Sequence, residues 1–173
     1  MQWSNGYPFV RPPFLDRLGL RHAALRYGAH SWPVLPRPGG RVVLLATGGL
    51  FDVIEVPAGI GLRAVAAEKR GPVAVAANGR WLFFVRPGLP LRSELDRCFD
   101  VVLHGPGSSV PAPPSRLPAG DVRWAVRPGK IHWRLPEPAG VQALLVDALG
   151  PLGHRPAGQE HVPRQLSTLR RAL

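Results

Sequence analysis

Short apolar runs separated by turns rich in glycine and proline dominate the middle of the chain. These runs are four to seven residues long and rich in Val, Ile, Leu and Phe, which favours buried strands over helices. Asn78-Gly79 joins two of them, and both residues tolerate the positive φ angles of a tight hairpin turn. The pattern predicts strands at 41–46, 50–56, 73–76, 80–85, 100–105 and 121–126.

Helical patterns lie before, between and after these strands. Gly28 is predicted to end the first helix, because glycine is the usual residue just past a helix C-terminus. The proline-containing segment 31–36 is predicted at a sheet edge, and 108–115 as a rigid extended segment. The predicted helices are 14–27, 59–70, 91–99 and 141–149.

The order of elements indicates one α+β domain with a largely antiparallel or mixed sheet flanked by helices. A chain of 173 residues suits a single domain that buries a real core. We expect an N-terminal arm at 1–13, the domain at 14–149 and a basic C-terminal tail at 150–173. No internal repeat is present.

The charge of the chain favours an anionic partner. The formal net charge is +11, and 20 of the 22 basic residues are Arg. Guanidinium groups bind phosphates in a fork and stack on bases, so a nucleic acid or a nucleotide is a natural partner. The alternative is that a GC-rich coding sequence replaces Lys by Arg without functional demand, which would leave a structural or protein-interaction module.

Several chemistries have no sequence support. The chain carries no Gly-rich phosphate loop with Lys-Ser/Thr, no Gly-x-Ser-x-Gly and no His-Glu-x-x-His. Cys98 is the single cysteine, which excludes an intramolecular disulfide and a Cys-based zinc site. A Cys98–His104 nucleophilic pair remains open beside the reading of Cys98 as a core residue.

The cellular setting is predicted from what the sequence contains. No window approaches the ~20 apolar residues of a membrane span, and the first residues lack the pattern of a signal peptide. We therefore expect a soluble cytoplasmic protein with no membrane partner. The oligomeric state is left open.

Four segments, in their order along the chain, resemble the N-terminal domain of bifunctional DNA primase/polymerases, the prim-pol family. The resemblance covers roughly residues 15–149, and the last of the four segments is the most specific. The segments are the helix end and Trp-Pro-Val-Leu-Pro at 26–36, Phe-Asp-Val-Ile-Glu-Val-Pro at 51–57, Gly-Arg-Trp-Leu-Phe-Phe at 79–84 and Val-Pro-Ala-Pro-Pro-Ser at 110–115.

The resemblance implies a fold related to archaeo-eukaryotic primases and a metal-dependent nucleotidyl transfer onto a growing strand. Such chemistry needs carboxylates on one strand face to hold two metals, Mg²⁺ or Mn²⁺. In the family the first strand carries Asp-x-Asp, the hairpin strand a His and a later strand a third Asp. In this sequence the corresponding residues are Glu55, Pro57, Trp81 and Val102.

Three of these four positions lack the family's chemical group, which leaves Glu55 as the predicted metal ligand. Asp52 lies three residues before Glu55, and alternation along a strand places the two on opposite faces. Asp100 is the one possible substitute near Val102. Glu55, Asp52 and Asp100 are therefore the candidate catalytic residues.

The same resemblance gives a set of candidate nucleotide or nucleic-acid contacts. Arg80 and Arg86 could face phosphates, and the indole of Trp81 could stack on a base. The competing readings are solvated charge for the arginines and cross-strand packing for Trp81. The full set is Arg80, Trp81, Arg86, His104 and Ser115.

Three functional hypotheses follow from the sequence. The leading one is a prim-pol-like domain that has lost catalysis and retains nucleotide or nucleic-acid binding. The second is an active nucleotidyltransferase with an altered acidic site. The third is a non-catalytic structural or protein-interaction module.

Overall fold

The structure is a computed structural model that describes residues 13–36, 40–66 and 71–150. The helices are α1 (Pro13–Ala29), α2 (Ala58–Ala64), α3 (Ser93–Asp96) and α4 (Pro138–Leu149), and a 3-10 helix spans Pro128–Ile131. The strands are β1 (Val34–Leu35), β2 (Val43–Ala46), β3 (Asp52–Val56), β4 (Val73–Val75), β5 (Trp81–Val85), β6 (Val102–His104), β7 (Ser109–Ala112), β8 (Arg116–Leu117), β9 (Gly120–Asp121) and β10 (Arg123–Val126).

A five-stranded antiparallel sheet forms the centre of the fold, in the order β10-β4-β5-β3-β6. β4 and β5 form the predicted hairpin, and Gly79 in its turn has φ 80°. β3 lies between β5 and β6, so that Glu55 pairs with Leu82 on one side and Val102 on the other. The predicted α+β class is confirmed.

One face of the central sheet packs against a second sheet and helix α1. The second sheet has the order β1-β2-β7, with β1 at its edge as the sequence predicts. Strand alternation brings Phe51 and Val53 to this face, together with Phe84 of β5. Trp32 is 2% exposed and its ring packs against both Phe51 and Phe84. This aromatic cluster fixes the distance between the two sheets.

The opposite face of the central sheet is covered by α2, α3 and α4. Ile54 and Val56 of β3 lie here with Phe83 of β5, and α4 contributes Val141 and Leu145. Because both faces are covered, β3 and β5 consist almost entirely of buried residues. This two-sided burial explains why their sequences read as continuous apolar runs.

Several element boundaries differ from the prediction. The first helix continues through Gly28 to Ala29, and the left-handed residue that follows it is Ser31, with φ 61°. A glycine within a helix costs only about 1 kcal/mol, and packing of Tyr27 against Trp32 holds this last turn. The segment predicted as rigid and extended at 108–115 contains β7, which pairs with β2.

Some predictions lie outside the described residues. These are the arm up to residue 12, the tail from residue 151 and the last four residues of the helix predicted at 59–70. In the part of the chain that is described, no helix combines the length and apolar character needed to cross a membrane.

Helix α2 approaches the sheet closely at Gly61, and this contact gives a stability prediction. A Cβ at residue 61 would lie 2.2 Å from Cγ of Trp81, so Gly61→Ala should lower the free energy of unfolding by about 1–3 kcal/mol. Gly59→Ala is the matched control, because a Cβ at residue 59 meets nothing within 4 Å. It should leave stability unchanged or raise it by up to about 1 kcal/mol. Urea denaturation measures both, and equal effects would contradict the packing argument.

Candidate functional site

Glu55 is the centre of a small polar cluster at the β3–β6 side of the central sheet. Its Oε1 accepts a hydrogen bond from Nε of Arg80 at 2.6 Å. Its Oε2 lies 2.7 Å from Nε2 of His104, and Nδ1 of the same ring lies 3.1 Å from Oγ of Ser108. The Glu55 side chain is only 22% exposed. Both carboxylate oxygens therefore already have strong partners within the protein.

Arg80 fixes one side of this cluster. It lies in the turn before β5, and its Nη2 donates a hydrogen bond of 2.6 Å to the backbone carbonyl of Asp100. The guanidinium thus bridges β3 and the segment that enters β6. This arginine, predicted as a phosphate contact, is largely occupied by a carboxylate of its own chain.

The partners of Glu55 determine its ionisation. The hydrogen bond from His104 is the largest influence and lowers the pKa of the Glu55 carboxyl below its ordinary value of 4.5. Burial opposes this effect, and Arg80 lowers the pKa further through its hydrogen bond and its charge. Glu55 is therefore a carboxylate at neutral pH, and its negative charge is compensated locally.

Asp52 lies on the other face of β3, as alternation predicts. Its side chain is 4% exposed, and Oδ2 accepts a hydrogen bond of 3.0 Å from the N–H of Gly88. Its Oδ1 is buried and finds no hydrogen-bond partner among the described residues. The β3–β5 pairing is regular from Asp52 to Val56, so no bulge turns Asp52 toward Glu55.

The later strand does not supply the missing acid. Val102 pairs directly with Glu55 and is 41% exposed, so this position has the correct face but an apolar side chain. Asp100 precedes β6 in a turn, where strand alternation does not apply, and it meets Arg80 through its backbone carbonyl. The described residues contain no group of three or more His, Cys, Asp or Glu side chains that could hold a metal ion.

Two predicted binding residues, Trp81 and Ser115, are enclosed by the fold. Trp81 is 8% exposed and packs against Gly61 on the face opposite Glu55, so it offers no free ring face for a base. Ser115 is fully buried, where its hydroxyl accepts the N–H of Val43 and donates to a nearby backbone carbonyl. Packing and internal hydrogen bonds therefore take up both of these side chains in the structure.

Two further candidates also have partners within the chain. Arg86 is exposed and forms an ion pair with Glu137. The thiol of Cys98 donates to the backbone carbonyl of Glu94, and the ring nitrogens of His104 contact Glu55 and Ser108 instead. The Cys98–His104 nucleophilic pair therefore has no support in these contacts.

The sequence did not indicate the contact between His104 and Glu55. It depends on the pairing of β6 with β3, which places His104 opposite Val53 and diagonal to Glu55. The signal that could have found it is the spacing of two between Val102 and His104. Once Val102 is aligned with Glu55, that spacing puts His104 on the same face.

The residues around Glu55 do not fit a two-metal centre. Such a centre needs several oxygen ligands around each ion, and here one carboxylate is flanked by apolar cross-strand neighbours, Leu82 and Val102. A guanidinium at 2.6 Å from Oε1 also repels a divalent cation. The cluster is better described as an internal ion pair supported by a histidine.

Comparison with known proteins gives one finding. The family model described as bifunctional DNA primase/polymerase, N-terminal, matches residues 29–140. This range includes the central sheet and the second sheet, helices α2 and α3, and the whole Glu55 cluster. No curated protein and no solved structure matches the chain.

The lowered pKa of Glu55 predicts a pH-dependent contribution to stability. Its ionised form is stabilised by folding, so the contribution is fully present above pH 4.5 and is lost as pH falls through the lower folded-state pKa. Glu55→Gln should therefore lower the free energy of unfolding by about 1–3 kcal/mol at pH 7, with a smaller loss at pH 3. Urea denaturation at both pH values measures this difference.

The control is Glu137→Gln, which removes an exposed ion pair with Arg86. Such pairs contribute less than about 1 kcal/mol. An equal cost of Glu55→Gln at pH 7 and pH 3 would show that the charge of Glu55 is not what stabilises the fold.

Proposed function

The chain belongs to the family of bifunctional DNA primase/polymerase N-terminal domains, and we propose that it is a member that has lost nucleotidyl transfer and retains nucleic-acid or nucleotide binding. In this proposal the chain retains the fold of the family and its class of partner, nucleic acid or nucleotide, and no longer catalyses nucleotidyl transfer. The observation that carries it is the ion pair of Glu55 with Arg80, together with the hydrogen bond that His104 makes to the second carboxylate oxygen.

The charge and the geometry around Glu55 oppose metal-dependent nucleotidyl transfer. Members of this family are generally metal-dependent, and two-metal catalysis uses the ions to clamp the attacking and leaving oxygens of the phosphoryl transfer. In this chain the guanidinium of Arg80 holds one oxygen of Glu55, at 2.6 Å. The position opposite Glu55 on β6 is Val102. A single neutralised carboxylate cannot replace the ligand set that such a clamp requires.

The charge balance of the whole chain favours retained binding of nucleic acid or nucleotides. The net charge of +11 arises almost entirely from arginine, which forms forked hydrogen bonds to phosphates. Neutralising phosphates releases counterions, and this term gives affinity without requiring catalysis. The binding function can therefore survive the loss of the metal ligands.

A primer-synthesis and extension assay tests the lost chemistry. With Mg²⁺ or Mn²⁺, wild-type protein should incorporate no nucleotide above background, because Glu55 has no second carboxylate on its face. Glu55→Ala is the matched control, because it removes the one remaining acid at the family position. Incorporation by wild type that disappears in Glu55→Ala would overturn the proposal and support an active enzyme with an altered acidic site.

A variant designed to create a metal site beside Glu55 tests the physical reason for the proposed loss of catalysis. Arg80→Ala with Val102→Asp removes the internal cation and places a second carboxylate directly opposite Glu55, with Cβ atoms about 4.5–5.5 Å apart. We expect this double variant to bind Mn²⁺ with a Kd of roughly 0.1–1 mM, the range of weak carboxylate sites. Isothermal titration calorimetry measures the affinity.

The control for this experiment is Arg80→Ala with Val102→Asn, which has the same size without the charge. It should bind Mn²⁺ no better than wild type. If wild-type protein bound Mn²⁺ as tightly as the variant with Arg80→Ala and Val102→Asp, the Arg80 ion pair would not be what prevents metal binding.

A further inference from the structure

A pocket of about 720 Å³ opens at the β10 edge of the central sheet, away from the Glu55 cluster. Its walls come from α1, β10 and the segment that contains the 3-10 helix, with the Pro113-Pro114 turn at one side. Three strands separate β10 from β6, so the pocket and the Glu55 cluster lie at opposite edges of the same sheet. None of the sequence-predicted site residues lines it.

The floor of the pocket is aromatic. Tyr27, Trp124 and Trp133 line it, and the rings of the two tryptophans pack edge-on against Tyr27. The Tyr27 hydroxyl donates to the carbonyl of Pro113 and accepts a 3.2 Å hydrogen bond from Nε1 of Trp124. Both tryptophans are half-buried, so each ring is held by the core while part of it faces the pocket.

The backbone at Trp133 is unusual. His132 and Trp133 have φ angles of 54° and 60°, a conformation that bulky residues rarely adopt. The N–H of Trp133 donates to the carbonyl of Pro128 at 2.9 Å, and its ring stacks on His30 with centroids 3.7 Å apart. These contacts hold the indole in place in the lining of the pocket, at a backbone cost that is common at binding sites.

The rim of the pocket is cationic. Arg26, Arg123, Arg127 and Lys130 come from different elements around the opening, and all four are exposed. The residues that line the pocket include no Asp or Glu. Within the described ranges, none of these four side chains forms an ion pair with a carboxylate. Their charge is therefore available to an external anion.

We propose that this pocket binds single-stranded nucleic acid, with a base against Trp124 and Trp133 and the flanking phosphates on the four cations. Flat aromatic side chains within a basic groove are the combination by which proteins hold single strands without sequence preference. A duplex would keep its bases stacked and unable to reach the aromatic floor. The inference rests on the proposed function, to which it gives a binding surface separate from the family's catalytic position.

Fluorescence anisotropy with a labelled oligothymidylate at several salt concentrations tests this surface. Arg123→Ala with Arg127→Ala should weaken binding and reduce the slope of log affinity against log salt by about 1.4, since each phosphate contact on a single strand contributes about 0.7. Both side chains are exposed, so the fold should tolerate their removal. Trp133→Ala should weaken binding by about 5- to 100-fold, the range of base stacking on an aromatic ring.

The matched control is Arg92→Ala with Arg97→Ala, which removes the same charge beside α3, on the other face of the central sheet. It should leave the salt slope near that of wild type. Equal salt slopes for the two double variants would contradict the proposed binding site. So would free dATP that competes with the oligonucleotide and binds with the same affinity. These two outcomes of the binding experiment do not test catalysis. Nucleotide incorporation that depends on Glu55 would contradict the proposed loss of catalysis and would not affect the proposed binding site.

Discussion

The β3–β5 pair is buried on both faces, and this constraint determines where the polar side chains of β3 can point. Phe51 and Val53 pack toward the second sheet, while Ile54 and Val56 pack toward the helices. Because every position from residue 51 to 56 except Glu55 is buried, a shift of β3 by one residue would move the Glu55 carboxylate into a buried apolar position. The direction of Glu55 is therefore fixed by the packing of its neighbours.

The same constraint explains why the carboxylates of β3 do not act together. Asp52 is held on the helical side by Gly88, and Glu55 on the other side by Arg80 and His104. A metal centre would require two acids on one face, and the cross-strand neighbours of Glu55 are Leu82 and Val102. The guanidinium of Arg80 supplies a positive charge that compensates the Glu55 carboxylate at this position.

The two edges of the central sheet have different characters. At the β6 edge the charges are paired with one another, which leaves little electrostatic attraction for a ligand. At the β10 edge four cations surround an aromatic pocket without a carboxylate in its lining. We infer that nucleic-acid binding has its surface at β10, while the family's catalytic position at β3 serves as internal support. Separation across the sheet allows one role to be lost without the other.

Strand periodicity and the Asn78-Gly79 turn are local signals, so the sequence alone predicts the α+β class, the β4–β5 hairpin and the course of β3. It also determined that Asp52 and Glu55 face apart, since alternation is a property of a single strand. Three features follow from the tertiary structure and not from any local pattern: His104 reaches Glu55, Trp81 is a core residue, and Trp124 and Trp133 share a pocket. These depend on which strands pair and which helices cover them, and the interactions join residues far apart in the chain.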